Sequence, residues 1–131
     1  MRSRVRSRWL VSPVALLMVL AGFPAPALAA NDVGKCSVSR STGAYCTTGT
    51  ITANNTRHWL RVYAANVRSV AVWDADTNVQ VFYNDEGSVG PVAVYGLHGR
   101  YYAVATRHDD SAGFVQICNY TQVYGDPCAV L

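Results

Sequence analysis

Pro91-Val92-Ala93-Val94-Tyr95-Gly96-Leu97-His98-Gly99-Arg100-Tyr101-Tyr102-Ala103-Val104-Ala105-Thr106 is the stretch that decides the fold class. Two runs rich in Val, Ala and Tyr flank a short segment bracketed by Gly96 and Gly99. Val, Tyr and Thr suit a pleated, half-buried surface. Glycine tolerates the positive φ that tight turns require. The stretch reads as a β-hairpin at the centre of an all-β domain, with His98 and Arg100 exposed at its tip.

The chain on either side repeats the pattern. Tyr45 to Thr52 alternates and is rich in threonine, which reads as one strand. Arg57 to Ala65 puts Leu60, Val62 and Ala64 on one face and Trp59, Arg61 and Tyr63 on the other. Val67 to Trp73 sets Val70 and Val72 against Ala71 and Trp73, with Trp73 expected in the core. Val79 to Tyr83 and Phe114 to Tyr120 complete the set, and Asn31 to Gly43 reads as an extended lead-in. About seven short strands, separated by Gly, Asn and Asp turns and with no sustained 3.6 periodicity, predict an antiparallel β-sandwich, or alternatively a small β-barrel. Leu97, Gly99 and Tyr101 or Tyr102 resemble the tyrosine corner of β-sandwiches, where a tyrosine hydroxyl bonds back to nearby backbone.

The first 29 residues are expected to be a secretory signal peptide. Arg2, Arg4, Arg6 and Arg8 form a basic leader, Leu10 to Phe23 is apolar, and Ala27-Leu28-Ala29 fits the small-residue cleavage rule. One β-sandwich domain is expected over residues 30–131. The apolar run is short for a membrane span, which needs about 20 apolar residues, so no membrane association is expected after cleavage. The chain carries eleven basic and eight acidic residues, but four of the basic ones lie in the leader. The mature part is then close to neutral, and no basic patch argues for nucleic-acid binding. A secreted, extracellular location follows as an expectation.

Cys36, Cys46, Cys118 and Cys128 fit two disulfides in an oxidising compartment. Sequential pairing closes two short loops, each contributing about 3 kcal/mol by loop-closure entropy. Nested pairing would tie the first strand to the last, and a crossed pairing is the third option. The spacing does not fit a zinc site.

Candidate chemistry is sparse. Asp74, Asp76 and Asn78 have the alternate spacing that opens a calcium loop, although Val79 stands where such loops need glycine. The same residues favour plain turns. His58, His98 and His108 are the three histidines, Glu86 is the sole glutamate, and neither a Gly-x-Ser-x-Gly elbow nor a His-Glu-x-x-His helix occurs. Neither an enzyme nor a cofactor is therefore expected. Asn54-Asn55-Thr56 and Asn119-Tyr120-Thr121 match glycosylation acceptors.

Aromatic residues are the remaining signal. If the face bearing Trp59, Arg61 and Tyr63 is exposed, it is a binding surface of the composition enriched in hot spots, with His98 and Arg100 as a further binding edge. The expected function is a secreted, non-enzymatic binding protein for an extracellular carbohydrate, cell-wall component or protein. The alternative is a secreted inhibitor of an extracellular amylase or protease. Two disulfides and a Trp, Arg and Tyr set are features of small all-β amylase inhibitors, which this chain resembles in composition. The Cys36–Cys46 loop is the candidate inhibitory loop.

Overall fold

A computed structural model describes residues 32–120 and residue 128. The expected signal peptide, and the tail other than Cys128, lie outside the described residues.

The described residues form nine strands: β1 Val33–Val38, β2 Tyr45–Thr47, β3 Ile51–Thr52, β4 Trp59–Ala65, β5 Val67–Asp74, β6 Gln80–Asn84, β7 Val89–Tyr95, β8 Arg100–Arg107 and β9 Gly113–Cys118. They make two antiparallel sheets. The back sheet has the order β1-β9-β4-β7, and the front sheet β2-β8-β5-β6, with β3 also on β8. The sheets pack face to face around Val38, Leu60, Val62, Ala64, Val70, Val72, Tyr101, Ala103, Ala105, Val115 and Ile117, all buried. The architecture is the expected β-sandwich stapled by two disulfides, and the pairing is sequential, Cys36–Cys46 and Cys118–Cys128.

The strand count exceeds the expected seven for identifiable reasons. The lead-in is a full strand, β1, paired along its length with β9. Tyr45 to Thr52 is not one strand but two, because the ladder breaks at Thr48. The Thr48 amide donates to the Ala103 carbonyl, and the Thr48 hydroxyl accepts the Ala103 N–H, each at 2.9 Å. A side chain thus replaces one backbone rung. The displaced Gly49 carbonyl presses on β1: a Cβ at Gly34 would lie 2.8 Å from it.

Counting β2 and β3 as one interrupted strand gives eight strands. Their order is first, eighth, third, sixth in one sheet and second, seventh, fourth, fifth in the other. That is the double Greek-key connectivity of a jelly roll. In this topology successive strands mostly change sheets, and the opening stretch is corrected accordingly. β7 pairs with β4 in the back sheet, whereas β8 pairs with β5, β2 and β3 in the front sheet. Gly96 to Gly99 is therefore a corner between sheets, not a hairpin turn. Gly96 takes φ 77° and Leu97 drops into the core. The Tyr101 hydroxyl accepts the N–H groups of His98 and Gly99, at 3.1 and 3.2 Å, so Tyr101, not Tyr102, is the tyrosine of the corner. The true hairpin is β5–β6. At the β4–β5 crossing, Asn66 carries the chain between sheets at φ 54°. Gly113 leaves room for that crossing, since a Cβ there would meet the Asn66 oxygen at 2.1 Å.

Candidate functional site

Strand alternation gives each sheet an inner and an outer face, and the two outer faces differ. On the back sheet, the register aligns Trp59 with Tyr95, Arg61 with Ala93 and Cys118, Tyr63 with Gln116, and Gln116 with Lys35. All point away from the core residues Leu60, Val62, Val115 and Ile117. Yet Trp59 is only 4 % exposed, Gln116 4 %, Cys118 3 % and Cys128 5 %. The centre of this face is covered where the second disulfide lies. The Gln116 amide donates towards the sulfurs of Cys118 and Cys128, at 3.6 and 3.7 Å. Farther along, Tyr63 meets Phe114 edge-on at 5.3 Å between centroids, and the Lys35 ammonium sits 4.7 Å from the Phe114 ring.

The expected exposed trio is thus divided. Trp59 is buried, and Arg61 and Tyr63 are half-buried. The alternation was right about the direction of these side chains, but it does not set how deeply each is buried. His98 stacks on His58 at the corner, centroids 4.2 Å apart. Arg100 lies on the front sheet, 2.6 Å from Asp76. The five candidate binding residues therefore do not form one surface.

The front sheet's outer face carries the feature the sequence reading missed. Three rows cross it. Tyr45, Thr106 and Ser69 form the first, Thr47, Val104, Ala71 and Tyr83 the second, and Tyr102, Trp73 and Gln80 the third. Tyr45 is 67 % exposed and Tyr83 55 %, while Trp73 and Tyr102 are half-buried. Trp73, expected in the core, belongs to this outer face because it pairs with Tyr102, whose neighbours Tyr101 and Ala103 point inward. Small side chains run along the middle, with aromatic rings at both edges. Tyr45 and Tyr83 stand three strand spacings and one row apart, about 16 Å. At one end the face opens into a cleft of about 540 Å³ lined by Ala44, Arg68, Ser69, Tyr83, Asp85, Thr106 and Arg107. A cleft of this size is in the range of ligand sites, about 300–1,000 Å³. The signal for this face was present as Ala71 and Trp73 opposite Val70 and Val72, but a lone strand does not say which face is inside.

At the opposite end of β8, Arg100 and Asp76 form an exposed ion pair. The hydrogen bond from Arg100, with its charge, holds the Asp76 carboxyl below its ordinary value of 3.8, and Asp76 raises the Arg100 guanidinium. The other calcium candidates are also engaged. One Asp74 carboxylate oxygen accepts the N–H groups of Asp76 and Thr77, at 2.8 and 2.9 Å, closing the hairpin turn. Asn78 adopts φ 61°, and its side-chain oxygen accepts from Tyr102 at 3.4 Å. Among the described residues, no three His, Cys, Asp or Glu side chains are grouped to hold a metal.

Both glycosylation motifs are tied into the fold. Asn119 is buried; its side-chain oxygen accepts the Asp32 N–H and its Nδ2 donates to the Thr52 carbonyl. The Asn54 amide donates to the Asn119 carbonyl at 2.9 Å. The candidate inhibitory loop closes tightly: Ser39 and Gly43 bridge, the Ser39 hydroxyl accepts the Thr42 N–H, and Arg107 donates to the Ser39 carbonyl. It is a compact turn, not an extended segment. No family model, curated protein or solved structure matches the chain.

Proposed function

We propose that this chain is a secreted, non-enzymatic carbohydrate-binding protein that holds a polysaccharide along the outer face of its front sheet. The observation that carries this reading is the set of exposed Tyr45 and Tyr83 with half-buried Trp73 and Tyr102 around a floor of Ala71, Ser69, Val104 and Thr106. A sugar ring offers an apolar C–H face and a rim of hydroxyls. Flat aromatic rings match the first. The hydroxyl and amide groups of Thr47, Ser69, Thr106 and Gln80 match the second. The three rows of the face carry no charged side chain, the Arg100–Asp76 pair lies at one end of β8, and the polar cleft at the other end supplies Arg68, Arg107 and Asp85 as hydrogen-bonding groups. An aromatic patch of this kind on a small domain marks an interaction site.

Two disulfides support an extracellular setting, as does the expected signal peptide. A binding role for this face is supported over a catalytic one because its three rows carry no His, Asp or Glu, while Arg68, Asp85, Glu86, Arg107, His108 and Asp109 line a cleft at one end of the front sheet. His58 and His98 lie at one end of β8 and His108 at the other, while Asp74 and Asp76 are committed to a turn and an ion pair.

The test is retention on insoluble polysaccharides, such as cellulose, chitin, xylan and cell-wall peptidoglycan. The wild-type chain is expected on at least one of them, with retention lost in Trp73→Ala and Tyr83→Ala and kept in Tyr95→Ala on the other sheet. Retention on none, or equal retention of all three variants, contradicts the proposal. Stoichiometric inhibition of an amylase or protease would favour the inhibitor alternative instead.

A further inference from the structure

The back sheet holds a second site of different chemistry. Arg57, Trp59, Arg61, Ala93 and Tyr95 line a notch of about 190 Å³. Its origin is legible in the register. Arg61 lies opposite Ala93, whose short side chain leaves the space, and Trp59 lies opposite Tyr95. The buried indole of Trp59 forms a wall, and the phenol of Tyr95, 72 % exposed, stands at the mouth. Arg57 reaches the same notch from the turn before β4. That turn is fixed by the Asn54 side-chain oxygen, which accepts the N–H groups of Thr56 and Arg57 at 3.0 and 2.8 Å.

Charge decides what this notch accepts. The four strands of the back sheet contain Lys35 and Arg61 and no carboxylate at all. The ion pairs among the described residues are Arg40 with Asp110, Arg100 with Asp76 and His108 with Asp109, and none includes Arg57 or Arg61. Arg61 is half-buried on the sheet. A guanidinium drawn partly out of water, in a notch that a second one lines and to which no carboxylate among the described residues contributes, favours an anion. Guanidinium groups bind planar or tetrahedral oxyanions through paired N–H donors. The notch is smaller than clefts that enclose a whole drug-sized ligand, about 300–1,000 Å³, so it suits one charged group rather than a complete molecule.

We propose that Arg57 and Arg61 form an oxyanion site that takes a single carboxylate or phosphate group, with the Tyr95 hydroxyl as an additional donor. This site lies on the sheet opposite the aromatic face and does not depend on the polysaccharide reading.

The experiment is a titration of the full mature chain with sodium acetate and, separately, with inorganic phosphate, at ionic strength held constant with chloride. Binding is followed by the arginine Nε–Hε resonances in NMR spectra. The expected result is saturable movement of the Arg57 and Arg61 resonances by at least one anion, with a dissociation constant on the order of 1 mM. The arm that saturates identifies the carboxylate or the phosphate. Arg57→Gln changes an exposed residue, leaves the fold intact and weakens binding about tenfold. Arg61→Lys keeps the charge but loses the fork, and weakens it by a similar factor. Arg40→Gln, on the distant Cys36–Cys46 loop, leaves binding unchanged. Linear, unsaturated movement with both anions, or unchanged affinity in Arg57→Gln and Arg61→Lys, overturns the proposal.

Discussion

Trp59 and Trp73 hold equivalent positions on opposite sheets. Each sits on the outer face of a strand whose inner face is aliphatic, and each is paired across the ladder with a tyrosine, Tyr95 for one and Tyr102 for the other. Trp59 is nonetheless buried, on the sheet that carries the Cys118–Cys128 disulfide, whereas Trp73 is half-buried on an aromatic surface whose Tyr45 and Tyr83 are exposed. The two strands are alike in local pattern, so the difference in burial is not set by the alternation of either strand. An aromatic residue on an outer face becomes structural when distant chain covers it and stays available for a ligand when nothing does.

Truncating the covered tryptophan should have the largest effect. Trp59→Ala is expected to cost about 3–5 kcal/mol by urea denaturation, the range for emptying a buried aromatic site. Trp73→Ala should cost under about 1 kcal/mol, the scale of a cross-strand pair. Similar losses at the two positions would remove the distinction between the faces. Next comes the disulfide on the back sheet. Cys118→Ser with Cys128→Ser should cost about 2–4 kcal/mol and shift the emission of Trp59 to the red as it meets water, with retention on polysaccharide unchanged. If Trp59 emission stays as in the wild type, the bridge is not what seals the back face.

These contrasts also mark what sequence could and could not disclose. The alternations in Arg57 to Ala65 and Val67 to Trp73 were legible because period-two patterning is local, whereas the two ten-residue spacings admitted the sequential disulfide pairing without excluding the nested or crossed one. The partner of a strand was not legible. Val89–Tyr95 and Arg100–Arg107 would look the same whether they faced each other in one sheet or, as here, crossed between two. The break at Thr48 was hidden because a threonine hydroxyl standing in for a backbone rung leaves no mark on hydrophobic periodicity. For the site, the face bearing Trp59 was open to either reading, exposed for binding or packed in the core, and Trp73 was expected inside but lies on the outer face, because a strand's alternation does not say which of its faces is covered.

A smaller effect is expected where the sheets are joined. Tyr101→Phe keeps the ring in the core but deprives the His98 and Gly99 N–H groups of their acceptor. It should cost about 1–2 kcal/mol and leave retention on polysaccharide intact, since Tyr101 faces inward. The smallest effect concerns the Asp76–Arg100 pair. The Asp76 carboxyl titrates below 3.8 in the folded chain. The folded state therefore releases this proton more readily than the unfolded chain, and the pair adds stability above pH 3.8 that fades as pH falls through the lower folded value. Asp76→Asn should remove this component, so the stability difference between wild type and variant should narrow over that window. A difference that does not change with pH would mean the pair contributes nothing measurable.

The central claim, that the front face rather than the back face meets the ligand, is tested most directly by single-tryptophan fluorescence. In a protein expressed from Ala30 onward, which omits Trp9, Trp59 and Trp73 are the only tryptophans. Trp59→Phe isolates the emission of Trp73, and Trp73→Phe isolates that of Trp59. Acrylamide quenching is measured for each, with and without a soluble oligosaccharide of the polymer that retains the protein. The prediction is that Trp73 is the more readily quenched and is protected by the oligosaccharide, while Trp59 is shielded throughout and does not respond. Protection of Trp59 with Trp73 unaffected would contradict the account.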